Sequence, residues 1–378
     1  MAGIETGWSA LGAAEVAGAV ADGWRDARPD DEVTLLPMND GGPGLIDVLR
    51  TARGGELSAV TVPDAGGQPV PSAVLVLTED SGARTAYIDG SVVLSGTATV
   101  DDASTAGLGH LLRHALDTGA ERIVIGTGPR RVTAHDGGEG LLRALLGDGT
   151  DLPGLIEQLR DRDLVLLAAH DLPLLGLNGA SAGLVDAGRA DAAQAQDAER
   201  RMADRVARLS AAAGPGRPSL LATGGHQHGP ALGSARSGPM TSTRPGVAPG
   251  SGAGGGSAFA LGLLGARRVD GATWVADAIG LAEQVAQADL VLTGAGVLDG
   301  GALEEGVVPA VSAEALPLGI PLIAVAAQVR TGRRDWGAAG VAGAFEVIES
   351  PEQLDAWQAG PAAALRARIP RVARTWSR

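Results

Sequence analysis

Short, continuous apolar runs recur along the chain with helical patterns between them, and this alternation constrains the fold more than any other feature. The runs are Val33-Thr-Leu-Leu-Pro37, Arg122-Ile-Val-Ile-Gly126, Asp163-Leu-Val-Leu-Leu-Ala-Ala169, Asp289-Leu-Val-Leu-Thr293 and Pro321-Leu-Ile-Ala-Val-Ala326. Runs of that length without a polar alternation read as parallel strands buried on both faces. Leu108, Leu111, Leu112, Ala115 and Leu116 fall at helical spacing, as do apolar positions in 13–20, 192–209 and 281–288. The pattern is α/β, with a parallel, Rossmann-like or flavodoxin-like sheet and a second α/β domain. At 378 residues two domains are expected.

One stretch breaks the alternation. Ala59-Val-Thr-Val62, Ala73-Val-Leu-Val-Leu77 and Arg84-Thr-Ala-Tyr-Ile88 follow one another with no helix between, which reads as an antiparallel insertion. The expected division is a discontinuous α/β domain of 1–62 and 278–378 around an inserted domain of 63–277. Residues 211–247 are rich in Gly, Pro, Ser and Ala and read as a flexible loop, whereas 249–257 lead into a helix. Ser350-Pro-Glu-Gln353 carries the N-cap, first-turn proline and capping-box glutamine of a last helix.

Composition excludes several functions. Aromatics are 2% of residues, so the cores rest on aliphatic side chains. The net charge of −14 offers no basic footprint for nucleic acid or an anionic membrane. Every basic residue other than histidine is arginine, which rules out a Schiff-base or Walker A lysine. Zero Cys removes disulfides, thiolate metal sites and cysteine nucleophiles. Met1 to Ser9 lacks the basic and apolar regions of a signal peptide, and no run approaches the ~20 apolar residues of a membrane span. A soluble cytoplasmic protein is expected.

Four glycine-rich segments stand where loops at the carboxyl ends of strands bind ligands in α/β proteins. They are Asn39-Asp-Gly-Gly-Pro-Gly44, Gly126-Thr-Gly-Pro-Arg130 with His135-Asp-Gly-Gly-Glu-Gly140, the 249–257 run, and Thr293-Gly-Ala-Gly-Val-Leu-Asp299. Gly126-Thr-Gly128 and Gly294-Ala-Gly296 do not complete a dinucleotide fingerprint, because Arg131 and Asp299 stand where the third glycine is required. Asp-Gly-Gly-X-Gly occurs twice, at Asp40 and Asp136. An aspartate beside flexible backbone suits a magnesium ligand or a general base next to a phosphate cradle, and equally suits a tight turn. Gly179-Ala-Ser-Ala-Gly183 has the spacing of a nucleophile elbow but does not follow a strand directly. His110 and His114 share a helix face and lack the glutamate of a zinc motif, and His226 and His228 read as loop polarity.

In this order the glycine segments resemble the class I glycerate kinase family, as a divergent member. The resemblance runs through Leu11-Gly-Ala-Ala-Glu-Val-Ala17, Pro37 to Gly44, Ile125-Gly126 with Asp136-Gly-Gly-Glu-Gly140, Asp171 with Gly176-Leu-Asn-Gly-Ala-Ser181, 249–256, and Asp289 to Gly296 with Asp299. It implies two α/β domains with a cleft between them. ATP and Mg2+ would phosphorylate a small hydroxy acid, D-glycerate, at the 2-hydroxyl. It further implies Asp40, Asp136 and Asp171 as catalytic groups, with Asp136 also on the metal. Arg130, Arg131, Asn178 and Ser181 would contact substrate, and Gly41, Gly42, Gly254, Gly255, Gly294, Gly296 and Asp299 the nucleotide. Phosphoryl transfer asks for such a set of anion-binding backbone, metal and positioned carboxylates.

The chain departs from that family at charged positions. Trp8 stands near the family's lysine, Pro43 replaces a glutamate, and Ala295 and Val297 replace a glutamate and an arginine. The Gly-Lys-Val that follows in the family reads Gly306-Val-Val308, and Arg130 and Arg131 replace polar loop residues. These replacements motivate an alternative, a non-catalytic homologue that binds a small organic acid or nucleotide.

Overall fold

A computed structural model describes residues 11–79, 81–129, 131–214 and 245–377. The chain divides into two compact units, one of 1–39 with 272–378 and one of 40–271.

The 40–271 unit is built on a six-stranded sheet in sequential order. Its strands are β1 (Glu56–Pro63), β2 (Pro69–Thr78), β3 (Arg84–Asp89), β4 (Arg122–Gly126), β5 (Asp163–Ala168) and β6 (Arg267–Asp270). β1, β2 and β3 form an antiparallel meander, and β3 to β6 run parallel. The three antiparallel runs are therefore no separate insertion. β3 belongs to both halves, antiparallel to β2 and parallel to β4, and this joins the meander to the parallel sheet. Because β1 is laddered to β2 over its full length, the unit boundary falls at 39/40 rather than at the expected 62/63. The second crossing falls at 271/272 rather than 277/278.

The buried strands explain their own composition. Ile123, Val124, Ile125, Val165, Leu166 and Leu167 are all fully buried, as continuous apolar runs covered on both faces must be. The helix Ala106–Asp117 sets Leu108, Leu111, Leu112 and Ala115 against one face, where they join Val62, Val74, Val76, Ile88 and Ile123 in the main core. The helix Ala192–Ala213 opens with Asp191, whose side chain accepts from Gln194 N while Gln194 Oε1 accepts from Asp191 N. It places Met202 and Val206 against Phe259 and Leu174. Residues 215–244 of the expected flexible loop, with His226 and His228, lie outside the described residues.

The other unit holds three parallel strands, β7 (Val291–Leu298), β8 (Leu322–Val329) and β9 (Val341–Glu346). Its two cores contain Ile323, Val325, Trp357, Leu365 and Ile369, and Ala324, Ala326, Val308 and Val311. Trp24 and Trp357 are buried here with Phe345 and Trp376 packed beside them, so the few aromatics are not spread evenly. The helix Ala13–Ala27 lies on the helix Pro361–Trp376, tied by Asp26 to Arg366 at 2.9 Å. Ser350 accepts from Gln353 N as expected, but it opens the penultimate helix Pro351–Ala359. Gln353 Oε1 takes the Glu349 amide instead of closing the box on Ser350.

Residues 33–37 are not a strand. Val33, Leu36 and Met38 pack into the cores of this unit, while Leu35 is 44% exposed and Pro37 has no N–H to give a ladder.

The 249–257 run does lead into a helix, Ser257–Leu263, through three consecutive glycines with positive φ, Gly254, Gly255 and Gly256. All three are buried against the chain itself. A Cβ on Gly255 would stand 2.0 Å from the Ala134 carbonyl oxygen. Gly255→Ala should therefore cost more than about 2 kcal/mol, because conformational strain and a backbone clash add. Gly188→Ala, at φ 66 with nothing near the added carbon, should cost only the strain, about 1 kcal/mol. Denaturant titration of the two variants checks the difference.

Candidate functional site

Loops at the carboxyl ends of β3 to β6 gather on one edge of the 40–271 unit. They carry Asp89, Gly126-Thr-Gly128, His170-Asp171 and Asp270-Gly271. Residues 40–44 are laid directly over these ends. A Cβ on Gly271 would stand 1.9 Å from the Asp40 carbonyl oxygen, one on Gly126 2.4 Å from the Gly41 oxygen, and one on Gly41 2.7 Å from Leu167 Cβ. Backbone is therefore in contact with backbone, which only glycines at these places allow.

Two carboxylates hold this loop. Asp40 Oδ1 accepts from Gly42 N at 3.0 Å, and Asp89 accepts from Gly44 N and Ser91 N, both at 2.9 Å. Burial pushes the Asp40 carboxyl above the usual carboxylate range, opposed by the Gly42 amide and assisted by the negative charge of Asp270. Burial also pushes Asp89 up, and hydrogen bonds from Ser91, Gly44 and Leu45 offset part of it. Raised carboxylates in a loop at strand carboxyl ends make this edge the candidate functional site.

Asp171 belongs to the same edge and is ion-paired with Arg268, whose side chain on β6 is 10% exposed. Arg268 Nη2 also donates to the His170 carbonyl. The expected catalytic Asp171 is thus neutralised from within the chain.

Asp136 has a different job from the one expected. Its Oδ1 accepts from Thr105 Oγ1 and Gly138 N, and its Oδ2 from Ser104 Oγ, Thr105 N and Gly140 N, at 2.8 to 3.1 Å. These five donors pin the start of the helix Glu139–Leu146 to the start of the helix Ala106–Asp117. A carboxylate so occupied does not fit a metal ligand, and the expected metal role of Asp136 is withdrawn on that ground.

The remaining expected residues are dispersed. Gly254 and Gly255 are buried structural glycines, not an open cradle. Gly294 and Gly296 lie inside β7, and Asp299 caps the short helix Gly300–Glu304 by accepting from Ala302 N at 3.0 Å. The fourth glycine segment is thus strand and cap in the other unit. Asn178 is exposed in the 176–179 turn. Ser181 is buried, with its hydroxyl 3.2 Å from His135 Nε2. Arg131 is exposed, and Arg130 lies outside the described residues. His114 Nε2 lies 2.8 Å from Ser58 Oγ.

Burial lowers the His135 pKa to about 4, and the positive charges of Arg189, Arg205 and Arg201 push the same way. The imidazole is neutral at pH 7. Among the described residues no three His, Cys, Asp or Glu side chains form a group able to hold a metal by themselves. Asp270 lies near enough to Asp40 for its negative charge to push the Asp40 carboxyl further up.

Asp89 and Asp270 belong to no motif in the sequence. Asp89 ends β3, whose parallel pairing with β4 is a tertiary fact. Asp270 ends Arg267-Arg268-Val-Asp270, too polar to read as a strand. A signal was present in Asp89-Gly90, an aspartate-glycine step directly after an apolar run.

An α/β protein with glycine loops and carboxylates at the ends of parallel strands is the class that fold and site define. The chain belongs to the glycerate kinase family, whose model matches residues 8–152 and 147–377. It is 33% identical over 347 residues to an uncharacterized protein of Mycobacterium bovis, covering 90% of this chain and 81% of that one. It is 25% identical over 371 residues to a glycerate kinase of Halalkalibacterium halodurans, covering 91% and 89%. A crystal structure assigned as glycerate kinase 2 from Salmonella typhimurium LT2 shares the fold with TM-score 0.65 and 24% identity, over 97% of this chain and 94% of that one. No helix among the described residues is long and apolar enough to cross a membrane.

The two aspartates of the repeated motif should separate by stability. Asp136→Ala orphans five donors and should cost about 3 kcal/mol or more. Asp40→Asn keeps an acceptor for Gly42 N and removes a desolvated charge, so it should melt at or above the native temperature at pH 7. A raised carboxylate is least costly at low pH, so this gain should shrink as the pH falls toward the ordinary carboxylate value. His135 acts in the opposite sense. Its folded pKa lies below 6.5, so the unfolded chain binds the extra proton and native stability falls as the pH drops from about 6.5 toward about 4. His135→Gln should flatten that slope in urea titrations between these pH values.

Proposed function

We propose that the protein is an ATP-dependent kinase that phosphorylates D-glycerate to 2-phosphoglycerate with magnesium, in the cytoplasm. The observation that carries this reading is the pair of desolvated carboxylates, Asp40 and Asp89, gripping one glycine loop at the carboxyl ends of four parallel strands. Glycerate kinase relatives aligned over about nine-tenths of both chains support it.

Roles follow from the chemistry of each group. Asp40 and Asp270 would hold magnesium, which neutralises charge on the transferring phosphoryl group when bound. Asp89, buried and raised, is suited to accept the proton of the attacking hydroxyl, since a base works best when its pKa approaches the working pH. Pro43 has no N–H, Gly42 N is given to Asp40 and Gly44 N to Asp89, so the 41–44 loop is closed onto the two carboxylates. Arg131, exposed just beyond β4, is a cation for the carboxylate of the acid.

The Arg268 to Asp171 ion pair favours a second reading. A cation built into the chain at this edge suits a protein that binds an acid or nucleotide without turning it over.

The test is ADP release by the purified protein with Mg-ATP and D-glycerate. Turnover is expected, falling at least about 100-fold in Asp40→Asn, which melts no lower than the native protein, and in Asp89→Asn, which loses one of its two acceptors for backbone amides and melts lower. Thermal stabilisation by ligand with no turnover at high enzyme concentration would decide for the binding protein.

A further inference from the structure

The outer edge of β1 is used by nothing described above. β1 pairs with β2 alone, in unbroken register from Glu56↔Val76 to Pro63↔Pro69. Its other side is a row of backbone donors and acceptors with no strand beside it among the described residues. Edges are ordinarily guarded by charged side chains, by proline, by bulges or by brevity. β1 has only Glu56 at its start and Pro63 at its end, and none of these in between. Residues 56–62 read Glu-Leu-Ser-Ala-Val-Thr-Val over an eight-residue strand, with Leu57 42% exposed and Ala59 and Thr61 exposed beside it.

We propose that β1 pairs antiparallel with β1 of a second copy of this chain about a two-fold axis at Ala59, joining two six-stranded sheets into one.

The register follows from the faces. Ser58, Val60 and Val62 lie on the side of the helix Ala106–Asp117, since Ser58 meets His114 and the two valines join the core beneath that helix. Leu57, Ala59 and Thr61 alternate to the other side. An antiparallel two-fold stands perpendicular to the sheet and returns each face to itself, so a residue pairs only with one of its own face. Centring on Ala59 uses the strand up to Pro63, which ends it. Ser58 then faces Val60, Leu57 faces Thr61 and Glu56 faces Val62, with no like charges opposed.

Charge supports the same choice of occupant. A groove of about 300 Å³ runs between residues 60–63 and the helix side chains His110, Arg113, His114 and Asp117. Arg113 Nη2 donates to the Ala144 and Leu145 carbonyls, and its charge has no carboxylate partner among the described residues. Glu56 is exposed and likewise unpaired there. The pairing carries Glu56 of the second copy to Val62, at the groove that holds Arg113.

The test exploits a chain without cysteine. Ala59→Cys places two thiols directly across the axis, where paired Cα atoms about 4.5 to 5.5 Å apart suit a disulfide. Mild oxidation should convert it to a covalent dimer, while Leu57→Cys, which faces Thr61, should not crosslink. Sedimentation should find the native protein dimeric at micromolar concentration. The pair Leu57→Lys with Thr61→Lys should make it monomeric with an unchanged circular dichroism spectrum, and Glu56→Arg should weaken the dimer about tenfold. A native monomer at 100 µM, or crosslinking through residue 57 but not 59, would overturn the proposal.

Discussion

Backbone laid on backbone is the constraint from which the candidate site follows. Residues 40–44 rest on the carboxyl ends of β4, β5 and β6 with the Asp40 carbonyl against Gly271 and the Gly41 carbonyl against Gly126. A side chain at either glycine would force the loop off the strand ends. Because the loop lies flat, the carboxyls of Asp40 and Asp89 are drawn out of water and towards its amides, and their raised affinity for protons is a consequence of that seating. Desolvated carboxylates cost stability, and such a cost is tolerated where a ligand or a proton transfer makes use of it.

A chain without lysine manages its buried charge through arginine. Arg268, almost wholly buried, answers Asp171 with a planar guanidinium that also reaches a backbone carbonyl. Glu139 is met by Arg143, Arg205 and Arg208. Asp136 has no ion pair among the described residues. Five neutral donors solvate it, and it ties two helix starts together. The same motif, Asp-Gly-Gly-X-Gly, thereby serves two ends. At residue 40 it builds a loop open to chemistry, and at residue 136 a structural knot.

The aliphatic runs of β4, β5 and β8 were legible because a strand buried on both faces must be apolar throughout, whatever it packs against. The helices at 106–117 and 192–213 were legible for the corresponding reason. Residues 33–37 had the composition of a strand and no ladder to join. The glycines at 254–256 and 294–296 looked alike as text, yet the first are a buried left-handed turn and the second the middle of a strand. Glycine reports permission for a conformation and does not choose one.

By itself the sequence determined the α/β class, the antiparallel meander, the family motifs in their order, and Asp40 with its glycine loop as a candidate. Those depend on local periodicity and on residue types whose chemistry is their own. Only the tertiary structure decided that β3 turns its carboxyl end to the parallel side and so brings Asp89 to the site. It also decided that Asp270 stands beside Asp40, that Asp171 is paired and that Asp136 is saturated. Each of these is a relation between residues far apart in the chain. A carboxylate's role is set by the donors and charges that folding places around it, and no local pattern records them.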